Sequence, residues 1–121
     1  MQNRCPIYRT ADVIGKRWSI LILLELYREG ARPKRYSELQ GSVSGISPKT
    51  LSLRLRELEG RGLVGNEVDA SSVPIRSEYR LTEKGLSFMP ILREIRRWAL
   101  RWEDGVCENR SCKECGKSSE L

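Results

Sequence analysis

The chain has no histidine anywhere in its 121 residues. That absence removes every Ser-His-Asp and Cys-His nucleophile and every His-ligated metal site. What remains is carboxylate, lysine or thiol chemistry, or none, and no enzyme is expected. Long hydrophobic runs are lacking too. The longest, Ile20–Leu24, falls far short of the ~20 apolar residues that a membrane-spanning helix needs. The stretch Met1 to Thr10 is polar and contains Pro6, so no signal peptide is expected. A cytoplasmic protein with no membrane partner follows as the expectation. Acidic charge is in deficit: 16 Asp+Glu stand against 22 Lys+Arg, a net charge of +6. Such a balance favours an anionic partner, and nucleic acid fits it better than a membrane surface.

What is present is an ordinary folded domain. Hydrophobic residues make up 39% and charged residues 31%, which places the chain outside the disordered class. Its length suffices to bury a real core. Residues 1–105 read as one domain, followed by a polar, cysteine-containing tail at 106–121.

Thr10 to Gly15 reads as a short helix with Thr10 as N-cap. Trp18 to Tyr27 is apolar nearly all round, which predicts a buried helix closed by Glu29-Gly30. Arg32 to Tyr36 is a connector or a short edge strand, and Ser37 begins another short helix. Ser47-Pro48 is the sharpest boundary: serine caps an orphan amide, and proline at the first helical position has no amide to satisfy. The helix runs on to Glu59, with Leu51, Leu55 and Leu58 on one stripe. Leu63–Val68 and Glu78–Leu81 read as two strands of a hairpin joined by a turn-prone loop at 69–77. Thr82 caps a last helix, interrupted at Pro90 and ending near Gly105. Ile91, Leu92, Ile95, Trp98, Ala99 and Trp102 give it a strong apolar stripe. The fold class is mainly α with a small β-hairpin, in the order of a winged helix-turn-helix.

In that order the helix opened by Ser47 holds the recognition position. A wheel centred on its leucines puts Lys49, Leu53 and Arg56 on the opposite side. Thr50 and Ser52 flank that side, and Arg54 sits nearer the buried edge. Cationic, hydroxyl and small apolar groups on one helix face suit the major groove of DNA. Arg35, Lys49 and Arg76 are candidates for backbone or groove anchoring, with Arg76 beside Pro74 in the hairpin loop. Thr50, Ser52, Leu53, Arg54 and Arg56 are candidates for base edges. Ser47 either caps the helix alone or also leaves neighbouring amides facing a phosphate. Arg54 and Arg56 have a competing role in ion pairs with Glu57 or Glu59. A solvated helix face and an ordinary surface loop are the plainer alternative for the whole set.

The sequence also resembles a family. Cys5-Pro6, then Ile14-Gly15-Lys16-Arg17-Trp18 leading into Ile20-Leu21-Ile22-Leu23, looks like the opening signature of the HxlR-type regulators. Arg35-Tyr36-Ser37-Glu38-Leu39, Ile46-Ser47-Pro48-Lys49-Thr50-Leu51 and Leu55-Arg56-Glu57-Leu58-Glu59 are similar too. Gly62-Leu63-Val64, Val73-Pro74, Glu78-Tyr79, Leu81-Thr82, Gly85, Pro90 and Trp98 complete the match in order and spacing, over roughly residues 5 to 100. The resemblance implies a winged-helix transcriptional regulator related to the MarR group. It further implies a homodimer built mainly from helices at the two termini. Two departures stand out. Lys16 and Arg17 follow the first glycine, where the family commonly has a second one. Leucine occupies position 53, where a polar residue is common, so Leu53 either touches a thymine methyl or packs.

The stripe carrying Trp98 and Trp102 is more than a monomer of this size covers by itself, with core packing as the alternative. A two-fold dimer would bind a pseudo-palindromic double-stranded operator with half-sites roughly 34–36 Å apart or a multiple of that turn.

Four cysteines are unusual for a cytosolic chain. In redox-responsive members of the resembled family, the thiol at the Cys5 position is the sensor, sometimes linked to a cysteine near the other subunit's C-terminus. Nearby Arg4 and Arg9 favour a thiolate; a small buried hydrophobe is the alternative. Cys107, Cys112 and Cys115, together with Cys5, have the count for an all-cysteine zinc site. Their x4-then-x2 spacing with a remote fourth thiol also matches a two-iron, two-sulfur cluster. A thiol-disulfide switch and an idle tail remain open beside these. Two further functions compete with DNA binding. One is a small cysteine-ligated metal or iron–sulfur redox protein, against which the lack of any βαβ unit counts. The other is a winged-helix module that binds protein.

Overall fold

The computed structural model describes residues 5–102. The chain divides into two compact units, with the boundary in sequence between Leu86 and Ser87. The expected tail, with Cys107, Cys112 and Cys115, lies outside the described residues.

The first unit opens with α1, Pro6–Ile14. This helix starts four residues before the expected Thr10 cap. Pro6 takes the first helical position and the Cys5 carbonyl accepts the amide of Arg9 at 3.0 Å. Helix α2, Ser19–Ala31, is regular as far as Tyr27, and left-handed backbone at Glu29 and Gly30 breaks it. The buried ammonium of Lys34 donates to the Glu25 carbonyl and satisfies part of that broken end. The expectation of burial all round α2 is corrected. Ile22, Leu23 and Leu26 are fully buried, but Leu21 is 46% exposed.

Strand β1 is Lys34–Arg35, followed by α3, Tyr36–Ser42, and α4, Pro48–Gly60. Strands β2, Val64–Asp69, and β3, Arg76–Leu81, form the wing hairpin, and α5, Glu83–Ser87, follows. The sheet is antiparallel with order β1-β3-β2, so the short edge strand was the right one of the two readings of Arg32 to Tyr36. Lys34 faces Tyr79 across one pair, and Val64 faces Leu81 across the other. The core gathers Ile22, Leu23 and Leu26 of α2 with Leu39 of α3 and Leu51, Leu55 and Leu58 of α4, all 1% exposed or less. Each such side chain contributes roughly 1.5–3 kcal/mol on burial. Gly85 lets α5 approach closely: a Cβ there would lie 2.2 Å from the Leu63 carbonyl oxygen. Helices α2, α3 and α4 with the three-stranded sheet make a winged helix-turn-helix.

The second unit contributes α6, Met89–Trp102. Pro90 falls in its first turn, where a missing amide costs nothing. The interruption therefore precedes Pro90, at Phe88, between α5 and α6. Met89 and Leu92 are buried. A neighbouring stripe is not: Ile91 is 50%, Ile95 43%, Trp98 58% and Trp102 67% exposed. The expected end of this helix, near Gly105, lies outside the described residues.

Candidate nucleic-acid interface

The turn into α4 is built by short-range chemistry. Gly45 has φ of +88°, a conformation that side chains disfavour. The Gln40 amide donates to the Ile46 carbonyl at 2.5 Å and closes the loop. Ser47 then caps the helix: its Oγ accepts the Thr50 amide at 3.2 Å, and its hydroxyl lies 2.9 Å from Thr50 Oγ1. Leu51, Leu55 and Leu58 fix one side of α4 in the core. The opposite side therefore has to face out.

On that outer side Lys49, Ser52 and Arg56 are exposed, and Leu53 is 45% exposed. Thr50 is half-buried. Among the described residues Lys49 and Arg56 make no ion pair, whereas Lys16, Arg28, Arg32 and Arg80 each lie within 4 Å of a carboxylate. Arg54 behaves differently from its neighbours. Its guanidinium reaches the Glu57 carboxylate at 2.5 Å and the Arg17 carbonyl at 3.2 Å. Its side chain is only 18% exposed, so here the ion-pair role is the one realised.

Arg35 is exposed at the N-cap of α3, where its amide donates to the Glu38 carboxylate at 3.3 Å. Arg76 is exposed at the start of β3, opposite Asp69 at the end of β2. The Ser71 hydroxyl, more than Arg76, holds the Asp69 carboxyl below its ordinary value. Val73 and Ile75, at the wing tip, are 97% and 67% exposed.

A model of the HxlR-like helix-turn-helix family matches residues 13–106. The chain belongs to the HxlR-like helix-turn-helix family. The uncharacterized HTH-type transcriptional regulator YvaP of Bacillus subtilis is 41% identical over 101 residues, which cover 83% of this chain and 90% of that protein. The reduced form of the transcriptional regulator YodB from B. subtilis superposes with a TM-score of 0.72 at 34% identity, covering 84% of this chain and 97% of that one. The redox regulator HypR in its oxidized form gives a TM-score of 0.68 at 38% identity, covering 83% and 99%.

In this HxlR-like chain, several residues seat α4 through contacts that no local pattern announces. Tyr36 is the clearest. Its phenol donates to the Pro48 carbonyl at 2.6 Å and accepts from the Ser52 hydroxyl at 3.1 Å, clamping the first turn of α4 to α3. Glu57 is another: Lys16 reaches it at 2.5 Å, and that bond, with Arg54, holds its carboxyl below the ordinary range. At the far end of α4, the Arg61 guanidinium donates to the Arg9 carbonyl at 3.0 Å. The segment that starts at Cys5 is thus tied to α4 by polar contacts at Glu57 and Arg61.

Cys5 is exposed, not buried as a small hydrophobe. No group of three or more His, Cys, Asp or Glu able to hold a metal occurs among the described residues. A zinc or iron–sulfur site through Cys107, Cys112 and Cys115 would draw on residues outside them. No helix among the described residues is long and apolar enough to cross a membrane.

Proposed function

We propose that this helix-turn-helix transcriptional regulator binds double-stranded DNA as a two-fold homodimer, with α4 of each protomer in a major groove of a pseudo-palindromic operator. The observation that carries the reading is the outer face of α4. Its leucine stripe is consumed by the core, and its opposite side presents Lys49, Ser52, Leu53 and Arg56 to solvent, with neither cation in an ion pair among the described residues. Phosphate contacts from Lys49, Arg35 and the wing's Arg76 would set affinity and register. Base contacts from Thr50, Ser52, Leu53 and Arg56 would set sequence choice, with Ser47 holding the helix N-terminus toward the backbone. Arg54 serves this reading by fixing the helix on its Glu57 side. The homodimer rests on the exposed apolar stripe of α6 and on the exposed Ile7 and Tyr8 of α1, which a water-soluble monomer has little reason to display. The workplace is the cytoplasm.

A gel shift on the DNA upstream of its own coding region tests the reading. Wild type is expected to bind, with affinity falling steeply as salt rises. Lys49→Glu with Arg56→Glu is expected to abolish the shift while leaving the thermal melt in place. A charge-reversed double variant that binds as wild type does overturns the proposal and favours a protein partner.

The exposed thiol at the start of α1 supports a second layer, in which oxidation of Cys5 alters DNA affinity. The polar ties from that segment to α4 give the change a route. Cys107, Cys112 or Cys115 of either protomer would be the partner thiol. Diamide should change the gel shift of wild type and leave Cys5→Ser unaffected. Equal responses of the two proteins sink the sensor role.

A further inference from the structure

Leu53 stands out on the outer face of α4. It lies one turn after Lys49 and three residues before Arg56, beside Ser52. Packing does not account for it. Leu51, Leu55 and Leu58 already hold the helix in the core, while Leu53 leaves 45% of its surface in water. Nor is it part of a wider apolar patch on this helix, because the outward neighbours are cationic or hydroxylic. One of those hydroxyls, Ser52 Oγ–H, is turned toward the Tyr36 phenol. The centre of the face is therefore a branched hydrocarbon between two cations, each about one turn away from it.

In the major groove the base edges offer hydrogen-bond donors and acceptors, and a single apolar group, the C5-methyl of thymine. We infer that Leu53 is a specificity-determining residue that selects a thymine in each half-site by burying that methyl against its own. This rests on the DNA-binding reading above. Lys49 and Arg56, on either side, fix the register that brings Leu53 to the groove floor.

The test uses the full chain and duplexes selected by it from a randomised pool. Each thymine of the selected site is replaced in turn by deoxyuridine, which removes only the methyl, and binding is followed by fluorescence anisotropy. One position per half-site is expected to weaken binding about fourfold on losing its methyl. Leu53→Ala should bind the thymine and uracil duplexes equally, and it should melt as wild type does because the side chain is outside the core. Leu53→Ser serves as a second variant with the same expectation. Enrichment of a site whose thymines all tolerate uracil overturns the inference and leaves DNA binding standing. So does a uracil penalty of the same size in Leu53→Ala. A pool from which no sequence is enriched overturns the DNA-binding reading and this inference together.

Discussion

Helices α4 and α6 are nearly matched in length, 13 and 14 residues, and both carry an apolar stripe at helical spacing. Their stripes end differently. Leu51, Leu55 and Leu58 of α4 are 1% exposed or less, whereas Ile95, Trp98 and Trp102 of α6 are 43%, 58% and 67% exposed. The contrast teaches that periodicity reports the existence of a buried face and not the identity of what buries it. In α4 the covering surface is supplied by the same chain, so the opposite side faces solvent, and the proposed function assigns it to DNA. In α6 a second stripe remains after Met89 and Leu92 have been used, and the proposed dimer assigns it to another copy.

The largest effect should come from breaking that second assignment. Trp98→Asp places a carboxylate twice in a two-fold interface. At about 2 kcal/mol or more for each buried aromatic anchor, association should weaken by on the order of 10^3-fold. Sedimentation should then show a 13.9 kDa species at micromolar concentration, with wild type at twice that mass. A wild type that sediments as a monomer removes the dimer altogether. A smaller effect, confined to folding, is expected from the other stripe. Leu55→Ala leaves a cavity in a site that is 1% exposed and should cost about 3 kcal/mol in urea unfolding. At protein concentrations that keep the chain folded, its sedimentation should match wild type. If both variants lost the dimer equally, the distinction between the two helices would collapse.

The two helices also differ in how far their surroundings could be read from sequence. The start of α4 is written locally, in Ser47-Pro48 and the leucine spacing, and the structure places it there. The start of α1 was displaced by a turn because Thr10 has a capping side chain and Cys5 does not; the deciding sign was Pro6. In α2 the stretch Trp18 to Tyr27, apolar nearly all round, predicted a buried helix, yet Leu21 is 46% exposed. Composition gives the number of apolar residues and not the number of neighbours available to cover them. The exposed side of α4 followed from the wheel, since a helix pinned by one stripe must show the other. What the wheel lacks is contact across sequence distance. Tyr36 lies 16 residues from Ser52, and Lys16 lies 41 from Glu57; nothing in either local pattern announces these bonds.

The Glu57 contact offers the finest test of the comparison, because it touches how α4 is seated and leaves the apolar stripes alone. Its carboxylate joins Lys16, from the loop after α1, to Arg54 within α4. Glu57→Gln keeps the shape and removes the charge. Lys16 is 45% exposed, so solvent screening limits the stabilisation to about 1 kcal/mol at neutral pH. The sign of the pH dependence follows from the lowered carboxyl. Folding favours the ionised form, so the stabilisation is fully present above the ordinary glutamate range. It disappears as pH falls through the lowered value of the folded state. Wild type should therefore lead the variant in unfolding free energy at pH 7, and the lead should shrink on acidification until the two proteins melt alike. Equal stability of the two proteins at pH 7 would mean that the glutamate side chain acts by shape alone, and a constant gap at every pH would mean that its ionisation does not carry the difference. The mass in sedimentation should not change, since Glu57 has no part in the α6 stripe. On the proposed DNA-binding reading, affinity for the operator should drop severalfold, because α4 loses a bond that fixes its position.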